Sequence, residues 1–200
     1  MTPACVRAGS VTVASNSKIR VFKRRRETRP RGTRVESTYA CLRSTGKTIR
    51  LDRPRGDEGY SYPPPALAVR GTQIAYAIDM VGDPVAGGDS TEVQVRDFGS
   101  APSRPLRLRQ YSDERVGSVR VSTRGGVTWI ACQDDGLYEG TPRPGCVRAG
   151  ARDSVYKRDS SADHAVELDH GRSIDPRSLR LQAGTITWTS GGRTRSAPLR

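Results

Sequence analysis

The sequence predicts an all-β protein built from antiparallel four-stranded units that repeat about four times along 200 residues. Three observations favour this fold class. Apolar residues alternate with polar ones at a period of two, and no stretch shows the apolar spacing of an amphipathic helix. The 21 glycines and 13 prolines fall largely at turn positions. One short phrase also returns at regular intervals, and such a repeat predicts one unit stacked against its neighbours.

The repeated phrase is a pair of apolar residues at alternate positions, a turn, and a second such pair. Its copies start 56, 52 and 60 residues apart. The copies are Val11/Val13 with Ile19/Val21, Leu67/Val69 with Ile74/Tyr76, Val119/Val121 with Val127/Trp129, and Leu179/Leu181 with Ile186/Trp188. Glycine or asparagine in each turn supplies the positive φ that tight hairpins need.

Further strand-like segments follow each phrase. They are Thr38–Arg43 and Thr48–Leu51 in the first unit, Glu92–Asp97 and Leu106–Arg109 in the second, Ser154–Arg158 and Ala165–Leu168 in the third, and Thr194–Leu199 in the last. The chain is therefore predicted to be one domain, 1–200, with repeats at about 9–53, 65–110, 117–170 and 177–200. The segments 23–37, 79–91 and 132–153 are predicted to be long loops carrying the variable surface.

A four-stranded antiparallel unit repeated around an axis is typical of a β-propeller blade. The sequence thus favours a propeller-like fold, either a small four-bladed ring or a partial propeller. In a ring, residues 3–7 would supply the strand that the last unit lacks. In a partial propeller, that edge stays open to a partner strand.

Two segments carry a family resemblance. The pattern L-x-L-x-x-G-x-I-x-W at Leu179–Trp188, followed by GGRTRSAPL, resembles repeats in predicted secreted TolB-like propeller proteins of high-GC actinobacteria. The segment STYACLRSTGKTIRLD at Ser37–Asp52 is similar to the same repeats. The resemblance implies an extracytoplasmic propeller of mostly unknown function, and it implies no catalytic residues.

The four cysteines are Cys5, Cys41, Cys132 and Cys146. Cys132 and Cys146 fall in one predicted loop, so we expect a disulfide between them and a second one between Cys5 and Cys41. Sequence alone allows three connectivities, or free thiols. The first thirty residues lack the apolar core of a signal peptide. An even number of cysteines without metal-type spacing nevertheless favours a secreted or extracytoplasmic protein whose leader is absent from this chain, over a cytoplasmic protein with free thiols.

The chain carries 34 Lys and Arg residues against 21 Asp and Glu, a net charge of +13. Such a charge attracts polyanions. The densest basic run is the candidate polyanion contact, and it consists of Lys23, Arg24, Arg25, Arg26, Arg29, Arg31 and Arg34. No aromatic residues interleave with this run to stack bases, so nucleic acid is not expected as a partner. No apolar run is long enough to span a membrane.

No combination of residues forms a recognisable catalytic, cofactor or metal site. Tyr76, Trp129 and Trp188 share one repeat position, and we expect them to fill gaps between units rather than line a ligand funnel. The sequence predicts a binding or interaction scaffold, whose partner is an unknown protein or an anionic polymer. The alternatives are a propeller-type hydrolase or lyase acting in a central channel, and a fragment completed by a partner strand.

Overall fold

A computed structural model describes residues 5–28, 33–52, 60–61, 66–83, 88–99, 106–111, 114–133 and 152–200. These residues form sixteen strands and no helix. The strands are β1 (Ser10–Ser15), β2 (Ile19–Thr28), β3 (Thr33–Leu42), β4 (Thr48–Arg50), β5 (Tyr60–Ser61), β6 (Leu67–Arg70), β7 (Gln73–Asp83), β8 (Gly88–Asp97), β9 (Leu106–Tyr111), β10 (Glu114–Val121), β11 (Val127–Gln133), β12 (Asp153–Arg158), β13 (Val166–Gly171), β14 (Arg180–Gln182), β15 (Thr185–Ser190) and β16 (Arg193–Pro198).

The strands form four sheets, and every strand pairing is antiparallel. Sheet A has the order β1-β2-β3-β4, and sheet C has the order β10-β11-β12-β13. In sheet B, β7 pairs with β8 and with both β5 and β6, and β9 follows β8. Sheet D has the order β14-β15-β16. The all-β fold and its antiparallel units are thus confirmed. The short β5 was not predicted. No described helix could cross a membrane.

Two of the three predicted long loops are wrong. β2 and β3 stay paired out to Thr28 and Thr33, and β7 and β8 stay paired out to Asp83 and Gly88. Both hairpins extend beyond the apolar core. Their outer residues are polar, and cross-strand side-chain pairs stabilise this part of each hairpin. Segments 23–37 and 79–91 are therefore largely strand. Most of the third predicted loop, 134–151, lies outside the described residues.

The four sheets stack face to face in chain order, and each interface has its own apolar core. The A–B core includes Ile19, Val21, Ile74 and Tyr76. Among the described residues, the B–C core has the most members, and it contains Trp129. The C–D core joins residues such as Ile130 and Val155 of sheet C to Ile174, Leu179, Ile186, Trp188 and Leu199. Tyr76, Trp129 and Trp188 are each buried in a different interface, as the sequence predicted.

The first copy of the repeat is out of register by one residue. Tyr76 pairs across its hairpin with Leu67, and Trp129 pairs with Val119. Counted from the turn of its hairpin, the residue of sheet A that corresponds to Tyr76 and Trp129 is Phe22, which pairs with Thr12. The predicted apolar positions Val11 and Val13 are instead 67% and 44% exposed.

The slip has two local causes. The turn before β2 closes at Asn16 and Ile19, since the N–H of Asn16 donates to the carbonyl oxygen of Ile19 at 2.9 Å, so Ile19 takes the place that Gln73 has after the turn of sheet B. The Asn16 side chain accepts hydrogen bonds from the backbone N–H of both Lys18 and Ile19 at 2.8 Å. The β1–β2 ladder also shifts register between Thr12 and Ala14. A slip of one residue exchanges the two faces of a strand. Ile19 and Val21 therefore face sheet B, and Phe22 faces outward.

Ring closure by the N-terminal segment is also wrong for the part of that segment that is described. Cys5 is bonded to Cys41 of β3, which holds it against sheet A. Among the described strands, β16 pairs with β15 alone. Apolar cores connect A to B, B to C and C to D, and none of the described clusters joins D to A. Residues 3 and 4 lie outside the described part of the chain.

Candidate interaction surfaces

One end of the stack, the outer face of sheet A, is covered by the N-terminal segment. Phe22 and Tyr39 are cross-strand partners whose rings stack with centroids 5.6 Å apart. The Cys5–Cys41 disulfide packs against this pair, and all three of Cys5, Phe22 and Cys41 are at most 2% exposed. Phe22 and the disulfide are therefore removed from solvent, whereas Tyr39 is half-buried.

Arg20 holds the covering segment in place from the same face. Its guanidinium donates to the carbonyl oxygen of Cys5 at 2.6 Å, to Thr12 Oγ1 at 2.8 Å and to Ser10 Oγ at 3.1 Å. The same group lies 5.0 Å above the ring of Phe22, within cation–π range. One side chain thus ties the segment to β1 and to the ring beneath it.

The other end of the stack, the outer face of sheet D, is polar. β15 alternates Ile186 and Trp188, which are buried toward sheet C, with threonines that point the other way. Across the ladders those threonines meet further polar side chains, and the set on this face is Arg180, Gln182, Thr185, Thr187, Thr189, Thr194 and Ser196. Each of them is exposed or half-buried. Unlike the outer face of sheet A, this end has no covering segment among the described residues.

Part of the predicted basic run lies on the β2–β3 hairpin. Lys23 Nζ is 2.8 Å from Glu36 Oε1, and Arg25 Nε is 3.5 Å from Glu36 Oε2. The hydrogen bond from Lys23 is the main cause that lowers the pKa of Glu36, against the opposing effect of burial. Two cations of the run therefore share one carboxylate.

The other members of the run are placed less fully. Arg24 lies on β2 between these two cations and is half-buried. Arg26 and Arg34 fall on β2 and β3, in the paired part of the hairpin. Arg29 and Arg31 lie outside the described residues. The structure thus places the described part of the run on a strand pair, whereas the sequence suggested a loop.

A buried carboxyl group lies at the start of β12. Asp153 is 2% exposed, and its Oδ1 has no hydrogen-bond partner among the described residues. Burial, together with the smaller effect of the negative charge of Asp175, raises the pKa of Asp153 to about 7. No group of three or more metal-ligating side chains occurs in the described parts of the chain. Sequence reasoning missed Asp153 because nothing marks it apart from its place before an apolar strand.

The cysteine predictions divide into one confirmed pair and one open pair. Cys5 and Cys41 are bonded, with their Cα atoms 5.7 Å apart. Cys132 is also disulfide-bonded. Its predicted partner Cys146 lies outside the described residues, so that pairing stays a prediction.

Comparison with known proteins identifies no family. No family model matches the chain, and no curated protein matches it. Among solved structures, the chain is similar to the tricorn protease at 15% identity and a TM-score of 0.48, over 94% of this chain and 20% of that one. It is also similar to a variant of the AtxE2 isopeptidase with Astexin3-dC4 bound, at 12% identity and a TM-score of 0.40, over 92% and 31% of the two chains. The chain therefore spans less than a third of either protein. The resemblance to TolB-like propellers stays a prediction.

Proposed function

We propose that this chain is an extracytoplasmic, propeller-like interaction scaffold that binds its partner through the sheet D end of the stack. One observation carries the proposal, namely the difference between the two ends. The sheet A end is covered by a disulfide-held segment, whereas the sheet D end presents exposed arginine, threonine and glutamine side chains.

The composition of the sheet D end suits a binding surface. On β15, threonines take the outer positions where β7 carries Ala75 and Ala77, which are buried against sheet C. A face of threonine hydroxyls and arginines can lie in water without cost and can still form hydrogen bonds with a partner. Sheet D thus has polar side chains on the face where sheet B has buried alanines, as we expect of a surface that contacts a polar ligand.

The disulfide supports the extracytoplasmic part of the proposal. Disulfides persist in oxidising compartments and are rare in the reducing cytosol. The Cys5–Cys41 bond is fully buried and closes the first unit, so it belongs to the folded structure and is not an exposed redox pair. A protein that depends on such a bond is suited to work outside the cytoplasm.

A displayed library of random peptides, selected on the immobilised oxidised protein, tests the proposal. We expect recovered peptides to lose binding to a Thr187→Glu variant, which places a charge on the outer face of sheet D. They should keep binding to Val11→Glu, which changes an exposed residue of sheet A. Recovered peptides that bind both variants equally, or a selection that enriches none, would overturn the proposal.

A further inference from the structure

Sheet D has an open edge along β16. Sheets A and C have four strands each, whereas sheet D, as described, ends at β16 with no strand beyond it. β16 is six residues long, and its side chains are exposed except for half-buried Ala197. A strand with one free side carries unpaired backbone groups and is a template for another strand.

The hairpin between β15 and β16 fixes which backbone groups face the open edge. Gly191 and Gly192 both have positive φ, 59° and 73°, as a two-residue type I′ turn requires. In such a hairpin the flanking residues Ser190 and Arg193 exchange hydrogen bonds, and every second pair along the ladder does the same. Thr194 and Ser196 therefore direct both their N–H and their C=O groups away from β15.

Two hydrogen bonds at the end of the strand agree with this assignment. Leu199 N donates toward the β15 side, to the carbonyl oxygen of Gly184 at 2.7 Å. The carbonyl oxygen of Pro198 instead accepts from Lys157 Nζ at 2.9 Å. Pro198 has no N–H, and its carbonyl is already bonded, so the available edge ends at Ser196.

The β16 edge is also regular. The β15–β16 ladder runs from Ser190/Arg193 to Thr185/Pro198 without a shift in register. Shifts do occur in the β1–β2, β10–β11 and β12–β13 ladders, which lie along three of the four edges of sheets A and C. The β3–β4 ladder along the fourth edge is regular but only three residue pairs long. Bulges twist an edge away from further pairing, so their absence leaves β16 the better acceptor.

Charge selects the kind of strand that fits. Residues 171–200 contain six arginines and one aspartate. Arg193 and Arg195 both lie on β16, and Arg195 is already 3.2 Å from Asp169. An acidic strand would meet complementary charge at this edge. A second copy of β16 would instead bring arginine-bearing strands together, and like charges opposite each other destabilise a sheet.

We propose that β16 accepts an extended acidic segment of a partner protein as the fourth strand of sheet D, paired through the N–H and C=O groups of Thr194 and Ser196. This inference rests on the proposed function, because it specifies how the sheet D end binds. Recognition of this kind takes its affinity from main-chain hydrogen bonds and its selectivity from side chains.

The test uses an acetylated and amidated peptide of alternating glutamate and valine, six residues long. Hydrogen exchange followed by NMR should show the Thr194 and Ser196 amides slowed when the peptide is added to the full oxidised chain. Ser196→Pro removes one of these N–H groups on a free edge, where proline is tolerated. It should weaken binding about five- to tenfold. The matched control is the same peptide with every backbone amide nitrogen methylated, so that neither of its edges can donate a hydrogen bond to β16, and it should not bind.

The other outcomes separate the two proposals. Binding of the N-methylated peptide, or binding without protection of Thr194 and Ser196, would overturn strand addition and leave a scaffold that binds by another surface. If the acidic peptide does not bind while library-selected ligands still require Thr187, strand addition is likewise overturned and the scaffold proposal stands. Self-association with protection of both amides would show that a second copy is the occupant, which also overturns the acidic segment.

Discussion

The indole Nε1 of Trp188 donates a hydrogen bond to Asp169 Oδ2 at 2.8 Å, and this contact joins sheet D to the last strand of sheet C. Trp188 is 4% exposed and lies in the C–D core, so its polar atom requires a partner there. Asp169 Oδ1 also accepts a hydrogen bond from Arg195 Nη1 at 3.2 Å. The bond therefore fixes the position of the sheet that we propose as the binding end.

Removal of this bond should destabilise the protein by about 1–2 kcal/mol. Trp188→Phe retains a large aromatic ring but loses the donor, and its urea unfolding midpoint should fall accordingly. The matched control is Val166→Thr on the same strand as Asp169. Val166 is 53% exposed, so that change should stay within about 0.5 kcal/mol. Equal midpoints for Trp188→Phe and the wild type would show that the bond adds nothing to stability.

Loss of the Cys5–Cys41 disulfide should cost about 4 kcal/mol, because the bond closes a loop with a sequence separation of 36. The double variant Cys5→Ala/Cys41→Ala should unfold at a much lower urea concentration than the oxidised wild type. Measurement of the variant with and without reductant isolates the remaining effect of the Cys132 disulfide. A variant as stable as the wild type would mean that hydrogen bonds such as Arg20 to Cys5 already hold the segment.

The pH dependence of stability should carry a signature of Asp153. Its pKa is raised from 3.8 to about 7 in the folded protein, mainly by burial. Between about pH 4 and pH 7 the folded state therefore holds one more proton than the unfolded state. The free energy of unfolding then falls as the pH rises, by about 1 kcal/mol per unit, and the slope ends above pH 7.

Asp153→Asn stays neutral at every pH, so its stability relative to wild type should rise from pH 4 to pH 7 and then level. Urea midpoints of both proteins at several pH values measure this difference. The comparison is needed because burial also raises the pKa of Asp52, which affects both proteins alike. A difference that is constant from pH 5 to pH 8 would contradict the assignment.

The strands were predictable because the apolar period of two survives in every unit, and the aromatic position reappears at each interface as Tyr76, Trp129 and Trp188. The register of the first unit was not predictable in the same way. A turn that closes at Asn16 and Ile19, and a bulge near Val13, leave the valine pattern intact while they reverse the faces. Asp153 and the open β16 edge depend on what surrounds a residue in space, which alternation along the chain does not encode.

The corrected register predicts unequal costs for two truncations in the first unit. Phe22→Ala should cost about 3–5 kcal/mol, because Phe22 is 2% exposed beneath the disulfide. Val11→Ala, in the repeat position that the sequence favoured, should be near neutral because Val11 is 67% exposed. Urea unfolding of the two variants measures both costs. A large cost for Val11→Ala would support the register predicted from the sequence, in which Val11 faces the core.

The basic run on the β2–β3 hairpin should give a salt-dependent affinity for polyanions, because each cation that contacts an anionic chain releases a counterion. On a heparin column, the variant Lys23→Gln/Arg24→Gln/Arg25→Gln should elute at lower salt than the wild type. Glu36→Gln should elute at higher salt, since it frees Lys23 and Arg25 from the carboxylate that they share. The variant Lys18→Gln/Lys47→Gln/Arg124→Gln removes three exposed turn cations outside the run, so it controls for the loss of three charges and should shift elution least. If all of these variants elute together, or the wild type is not retained at low salt, the run is not a polyanion-binding site, and its cations are only solvent-facing side chains of the hairpin.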